Sequence, residues 1–214
     1  MRLGTYYRAQ MLKLFDIQAT GNRVLDVGGY DGYWFSTQKA KNKYVLDLDV
    51  KQINRNVKYI KASALDIPFQ SIFFDQVFAF DVLEHIQIGK ESVFIKELIR
   101  VCKKGGELIL STPSKSIRMV PAFMTNYISH KWGHDKCHGY AKKELTNFFS
   151  VFDDIQYEIL DNNAPNFRSF FIPVRSLWFI WKELAKIIVK KMVLYDFDHK
   201  EGNEGFYFIK ISKK

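Results

Sequence analysis

Apolar positions along this 214-residue chain follow two rhythms. Short apolar runs bounded by turn residues read as buried strands, and apolar residues three or four apart read as helix faces. Residues 5–17 give the first helical pattern, with Tyr6, Met11, Leu12, Leu14 and Phe15 on a rough apolar face, ended by Thr20-Gly21-Asn22. Val24 to Val27 reads as the first strand. The turn Gly28-Gly29-Tyr30-Asp31-Gly32 comes next, then a helical run over 33–41. Further strands are predicted at 43–49, 57–62, 74–80 and 107–111. Between the last two, the spacing of Val93, Phe94, Leu98, Ile99 and Val101 predicts a helix over 89–103, with Lys104-Gly105-Gly106 as its C-terminal stop. Strand and helix alternating through five strands is the pattern of a doubly wound α/β sheet.

After residue 114 the alternation stops. Residues 115–139 are polar and aromatic, 140–149 read as a short helix, 152–160 as a sixth strand and 162–166 as a turn. Residues 170–194 are strongly apolar, with Leu177, Ile180, Trp181, Leu184, Ile187 and Ile188 on one helical face and lysines mostly on the other. Residues 205–212 supply a last strand. With no repeat or linker in view, one domain over 1–214 is expected, carrying 161–204 as a helical insertion. Roughly 40 residues is long for a connection between consecutive strands. A basic amphipathic helix with Trp178 and Trp181 suits packing or a homodimer face first, and peripheral contact with an anionic membrane second.

Composition narrows the classes. At 47% apolar the chain can bury one sizeable core. Cys102 and Cys137 make no disulfide framework, which suits a reducing, cytoplasmic setting. The N-terminus lacks an apolar signal core, and no uncharged run approaches a membrane span. The net charge of +9 admits an anionic partner. The basic residues are dispersed and no RNA-reading module is present, so nucleic acid is not expected.

A strand feeding a helix through a glycine turn is the form of a nucleotide-binding loop, whose ligand sits at the carboxyl ends of the strands. Asp47 ends the second strand about 20 residues past that turn, where a carboxylate accepts hydrogen bonds from ribose hydroxyls. The plainer use of Asp47 and Asp49 is to cap a following helix, and for Asp49 that use is preferred. Asp66, just past the third strand, is placed to accept from a purine amine or simply to form a turn ahead of Ile67-Pro68. Nicotinamide binding is the main rival use of the turn. It expects G-x-G-x-x-G, whereas this turn is G-G-x-x-G, and the rival weighs less.

Several motifs then agree in order: VLDVGGYDG, YVLDLD, ALDIPF, FDQVFAFDVLEHI and KELIRVCKKGGELILSTPS. Over 23–145 the sequence resembles the class I S-adenosylmethionine-dependent methyltransferases, within them the group called methyltransferase type 11. The resemblance implies a Rossmann-like, doubly wound seven-stranded sheet with helices on both faces. The last strand, GFYFIKIS, would be antiparallel and preceded by the helical insertion. It implies S-adenosyl-L-methionine as cofactor, with Asp26, Gly28, Gly29 and Gly32 near its methionine part. Asp47 and the adjacent Leu48 would serve the ribose, Asp66 and Ile67 the adenine, and Phe80 and Asp81 the remaining side. One position departs from the family's D/E-x-G-x-G-x-G motif: Tyr30 stands at the middle glycine. Either Gly29 takes over the bend or the cofactor end of the pocket is tighter.

The implied activity is methylation of a small-molecule, lipid or glycan acceptor, with oxygen as the expected acceptor atom. A non-catalytic cofactor-binding or membrane-associated partner protein of the same fold is the alternative. Transfer from a sulfonium needs chiefly orientation, and a base only where the acceptor is a hydroxyl. His138, in the segment before the 141–149 helix, is the expected base ahead of His85, and a loop histidine bonded to backbone is its plainer reading. His130, His134 and His138 with Cys137 have the spacing of a ligand stripe, but Gly133 and Gly139 oppose a continuous helix and no metal site is expected.

Overall fold

A computed structural model of the protein describes residues 2–123, 125 and 139–214. His130, His134, Cys137 and His138 fall outside the described residues. The chain divides into two compact units: a sheet unit of Ala19–Thr112, Lys143–Leu160 and Phe208–Lys214, and a helical unit of Met1–Gln18, Pro113–Lys142 and Asp161–Tyr207.

The sheet unit is built on seven strands in the order β3-β2-β1-β4-β5-β7-β6, with an antiparallel last strand. The strands are β1 (Arg23–Val27), β2 (Asn42–Asp47), β3 (Val57–Lys61), β4 (Phe74–Phe80), β5 (Cys102–Pro113), β6 (Ile155–Asn162) and β7 (Phe206–Lys213). The first five pair in parallel. This is the Rossmann-like, doubly wound fold that the alternation and the resemblance imply. The order reverses beside β1, whose neighbours are β2 and β4, and that is where ligands bind in open α/β sheets. Central strands covered on both faces run continuously apolar, which is why β1 and β4 carry Val24, Leu25 and Val27, and Val77, Phe78, Ala79 and Phe80, all buried.

Two readings of the sequence change here. The helix after the glycine turn, α2, is one turn long (Tyr33–Ser36) and not the run over 33–41. Trp34 and Phe35 bury against Phe78, at centroid distances of 5.0 and 5.6 Å, and fix the turn's exit. The backbone N–H groups of Ala40, Lys41 and Asn42 then donate to the carbonyls of Ala19, Gly21 and Asn22, which takes them out of any helix. The second change is at Lys104-Gly105-Gly106. Helix α3 (Glu91–Val101) ends earlier, Cys102 is already extended, and the glycines lie inside β5. There the register jumps from Phe74↔Cys102 to Gln76↔Glu107, so the glycine pair makes a bulge in a strand and not a helix stop. Burial pushes the Cys102 thiol up to about 12, which keeps it protonated and unreactive. Helix α4 (Lys142–Phe149) completes the described helices flanking the sheet strands.

The helical unit packs α1 (Leu3–Leu14), α5 (Pro165–Ile180) and α6 (Lys182–Asp198). Pro165 opens α5, where its fixed φ suits a first helical position. The apolar stretch at 170–194 is two helices, not one. Trp181, at φ −141° and ψ 71°, breaks it and lets α6 fold back along α5. Rings join the helices: Tyr6 to Trp178 at 5.4 Å, Tyr7 to Phe167 at 4.6 Å and Phe15 to Phe197 at 5.1 Å. Among the described residues, no helix is long and apolar enough to cross a membrane.

A single buried carboxylate joins this unit's segments. Asp196, fully buried on α6, accepts from the Tyr7 hydroxyl at 2.6 Å and from the backbone N–H groups of Asn166 and Phe167 at 2.7 and 3.0 Å. The last two are first-turn donors of α5 that have no partner inside their own helix. Burial pushes the pKa of both Asp196 and Tyr7 above its ordinary value. Replacing Tyr7 by Phe is expected to lower the stability measured by urea unfolding by roughly 1.5–3 kcal/mol, the loss of a hydrogen bond to a charged group. An unchanged midpoint would show that the bond contributes nothing.

Candidate active site

The glycine turn at the end of β1 is held from three directions. Gly28 N–H donates to the Leu46 carbonyl of β2 at 2.7 Å, and Gly32 N–H closes the turn on the Gly29 carbonyl at 2.8 Å. The Tyr59 hydroxyl, from β3, donates to the Asp31 carbonyl at 2.9 Å. The third support is Asp47. One carboxylate oxygen accepts from Tyr30 N–H at 3.0 Å and the other from Asp49 N–H at 3.1 Å. Each oxygen has a second lone pair, so two backbone bonds leave Asp47 able to accept hydroxyls as well.

Tyr30 resolves the sequence's main ambiguity. It adopts φ 43°, the left-handed conformation that a middle glycine supplies at no cost. The bend therefore stays at position 30 and does not move to Gly29. A non-glycine residue there stores roughly 1–2 kcal/mol of strain. Gly29 matters for space instead: a Cβ on it would lie 2.5 Å from a carboxylate oxygen of Asp26, which is buried in β1. Gly28 is left-handed at φ 77°, and a Cβ there would meet the Val82 side chain at 2.4 Å. Val82 comes just after β4, so this contact joins the ends of the two central strands.

The far end of β4 carries a second strained residue. Asp81 has φ 53°. Ser111 of β5 clamps it: its hydroxyl donates to the Asp81 carboxylate at 2.6 Å, while Asp81 N–H donates to the Ser111 carbonyl at 2.9 Å. Left-handed residues held this firmly gather where a backbone must present groups to a ligand. Beyond Asp81, the 3-10 turn Leu83–His85 buries Glu84, whose carboxylate accepts from the Thr112 hydroxyl at 3.2 Å. That bond gives a physical reason for the pairing of DVLEH with STP in the sequence. His85 ends the turn exposed, its N–H on the Val82 carbonyl.

The loop after β3 is held from α3. Glu97 accepts from Ile67 N–H at 2.8 Å and pairs with Arg100 at 2.7 Å. Arg100 in turn donates to the carbonyls of Phe69 and Ile67 at 2.7 and 2.8 Å. Ile67 is buried and Asp66 is exposed beside it. Leu48 extends its side chain to solvent, and Phe80 is buried at the end of β4 against Trp34, 5.0 Å between ring centroids. Asp26, Gly28, Gly29, Gly32, Asp47, Phe80 and Asp81 thus gather at the carboxyl ends of β1, β2 and β4, with Asp66 and Ile67 beyond β3. Tyr59, Val82, Glu97 and Ser111 were missed by sequence reasoning, because each acts through contacts that no local spacing reveals. Among the described residues, no three His, Cys, Asp or Glu side chains come together as a metal site.

Residues 2–153 match the sequence profile of a family described as Methyltransferase domain. The chain belongs to this methyltransferase family. An uncharacterized protein of Methanocaldococcus jannaschii is 32% identical over 178 residues, covering 80% of this methyltransferase and 67% of that protein. The fold is similar to that of Haemonchus contortus phosphoethanolamine N-methyltransferase 2 solved with S-adenosyl-L-methionine, at TM-score 0.65 and 18% identity. That match takes in 99% of this methyltransferase and 52% of the Haemonchus chain, so the methyltransferase spans about half its length. A SAM-dependent methyltransferase of Thermotoga maritima aligns at TM-score 0.62 and 14% identity, over 97% of this chain and 89% of that one.

The matched methyltransferase profile takes in the glycine turn and the acids at the strand ends, and S-adenosylmethionine is bound in the similar Haemonchus structure. The turn fits such a cofactor. Gly28 is exposed with bare backbone, the strand-end carboxylate Asp47 keeps acceptor capacity, and the bend that admits a ligand is retained at Tyr30.

Two outcomes test this geometry. Tyr30→Gly exchanges strain for chain entropy and is expected to leave stability unchanged or raise it by up to about 1 kcal/mol. Gly28→Ala is expected to lower stability by at least as much as that strain, since it adds a clash to a left-handed backbone. Equal behaviour in chemical denaturation would contradict the assignment of the bend. A second outcome concerns pH. The Arg100 hydrogen bond holds the Glu97 carboxyl below its ordinary value. A lowered carboxyl adds stability that is complete above the unfolded value and is lost as pH falls through the folded one. Acid titration of unfolding should therefore show a steeper decline for wild type than for Glu97→Gln as pH falls from the ordinary carboxylate value through the lowered one.

Proposed function

We propose that the chain acts as a single methyltransferase domain that methylates an oxygen of a small-molecule, lipid or glycan acceptor. The observation that carries the reading is the carboxylate of Asp47, which supports the turn at Tyr30 and keeps free lone pairs at the switch point of the sheet. In this reading Asp47, with Leu48 beside it, holds the ribose hydroxyls. Asp66 accepts from the adenine amine, and Ile67 forms an apolar wall for the ring. Gly28, Gly29 and Gly32, backed by Asp26, pass close to the methionine part. The backbone at Phe80 and Asp81 lines the other side, and the Ser111 clamp keeps Asp81 in place.

Bound there, S-adenosylmethionine supplies a methyl group already activated by its positive sulfur. The chain's own work is to hold the acceptor in line and to keep water out, which accounts for most of the acceleration such a transfer needs. Where the acceptor is a hydroxyl, His138 takes its proton. A nitrogen acceptor is the second reading. Its support is the fold likeness to a phosphoethanolamine N-methyltransferase, and it needs no base beyond a neutral amine.

Calorimetry with S-adenosylmethionine is expected to show binding that Asp47→Ala weakens roughly tenfold or more, from loss of hydrogen bonds to a charged group. Absence of binding at millimolar cofactor would sink the reading. His138→Ala is expected to lower turnover on a hydroxyl acceptor while cofactor affinity holds, and unchanged turnover would remove His138 from the chemistry.

A further inference from the structure

Helix α6 is apolar on two opposite sides. Ala185, Val189, Met192 and Val193 are buried within the helical unit. On the other side Leu184, Ile187, Leu194 and Tyr195, at i, i+3, i+10 and i+11, are exposed. The break before α6 extends this outer face. Phe179, Ile180 and Trp181 are 78%, 83% and 65% exposed, three consecutive large apolar side chains at the bend between the helices. Of the six residues that the sequence places on one apolar face, Ile180, Trp181, Leu184 and Ile187 are exposed, and Leu177 and Ile188 are half-buried.

Lysines border this face at Lys190 and enter it at Lys191, and the others stand on the sides of the helix. Between 182 and 191 stand Lys182, Lys186, Lys190 and Lys191 against one acid, Glu183, and Glu183 is itself paired with Lys186 at 2.6 Å. Lys190 and Lys191 are exposed, and Lys191, seven positions after Leu184, falls within the apolar stripe. That placement separates the occupants. A two-fold interface between copies would turn this same face on itself, bringing lysines against lysines or burying Lys191 among apolar groups. A bilayer surface accepts both features: the aromatic and aliphatic groups enter the headgroup boundary, and the lysines extend their stems to reach anionic headgroups.

We propose that the outer face of α6, with the bend at Phe179–Trp181, is a docking surface for an anionic membrane. This goes beyond methyl transfer and does not depend on it. The helix lies along the surface and does not cross it. Anionic headgroups draw the lysines in, and the bend supplies apolar depth.

Flotation of the full chain with two vesicle preparations tests this, one of phosphatidylcholine alone and one of equal parts phosphatidylcholine and phosphatidylglycerol. The protein is expected to rise with the anionic vesicles only, with binding that falls as salt is raised. The combined variant Trp181→Ser, Leu184→Ser, Ile187→Ser should lose roughly tenfold or more of that binding. Lys190→Glu with Lys191→Glu, both at exposed positions, should lose a similar amount. Circular dichroism and the unfolding midpoint of each variant establish that the fold is intact, and the lysine variant alone suffices should the apolar one misfold. Failure to float with anionic vesicles would overturn the proposal, as would variants that float like the wild type. A dimer seen by light scattering that the apolar substitutions dissolve would also overturn it and assign the face to a second copy.

Discussion

The hydrogen bond from Tyr30 N–H to the Asp47 carboxylate fixes the relation between the ends of β1 and β2. A left-handed tyrosine is uphill by itself, and an isolated loop would relax it toward an extended conformation. The carboxylate opposes that relaxation by holding the N–H in its strained direction, while the Tyr59 hydroxyl pins the next carbonyl. With the bend secured, Gly28 stays bare under Val82 and the one-turn helix begins where Trp34 can reach Phe78. In the proposed reading the same aspartate serves both shape and cofactor binding. Its carboxylate orders the turn, and the lone pairs that remain are what the proposed ribose contact uses.

Much of the sheet unit was legible because its signals are local. Phe74–Phe80 runs apolar between polar turns, and the strand falls where the pattern puts it. The glycine turn, the strand-end acids and the DVLEH and STP motifs likewise carry their meaning in short spacings. The misread stretches involved competition from distant partners. Nothing near Thr37 announces that residues 40–42 will bond to 19–22 and end α2 after one turn. Lys104-Gly105-Gly106 has the composition of a helix stop, yet the demand of β4 for a longer partner turns it into a strand bulge.

The site divides along the same line. Asp26, Asp47 and Asp66 stand out as acids at strand ends. Ser111, Glu97 and Tyr59 do not, since a serine in an apolar strand or a glutamate on a helix has no spacing that marks it as a support. Tyr30 was visible as an anomaly, but its outcome depended on whether the surroundings could hold a left-handed side chain. In the helical unit the periodicity of 170–194 was real and its polarity misleading. The apolar set divides between a buried side and an exposed one, because Trp181 interrupts the helix and α6 starts again in a new direction.

The Tyr7–Asp196 bond spans 189 positions of sequence, and the helical unit is assembled from three separate stretches of chain. During synthesis α1 emerges well before its partner carboxylate. Local helices form in microseconds, but this closure has to await all the residues between Tyr7 and Asp196, and contacts of such separation slow folding. The sheet unit, whose first five strands are contiguous in sequence, can organise while the ribosome is still at work. The polypeptide thus has a built-in order of maturation, with the glycine turn shaped early and the helical unit sealed later.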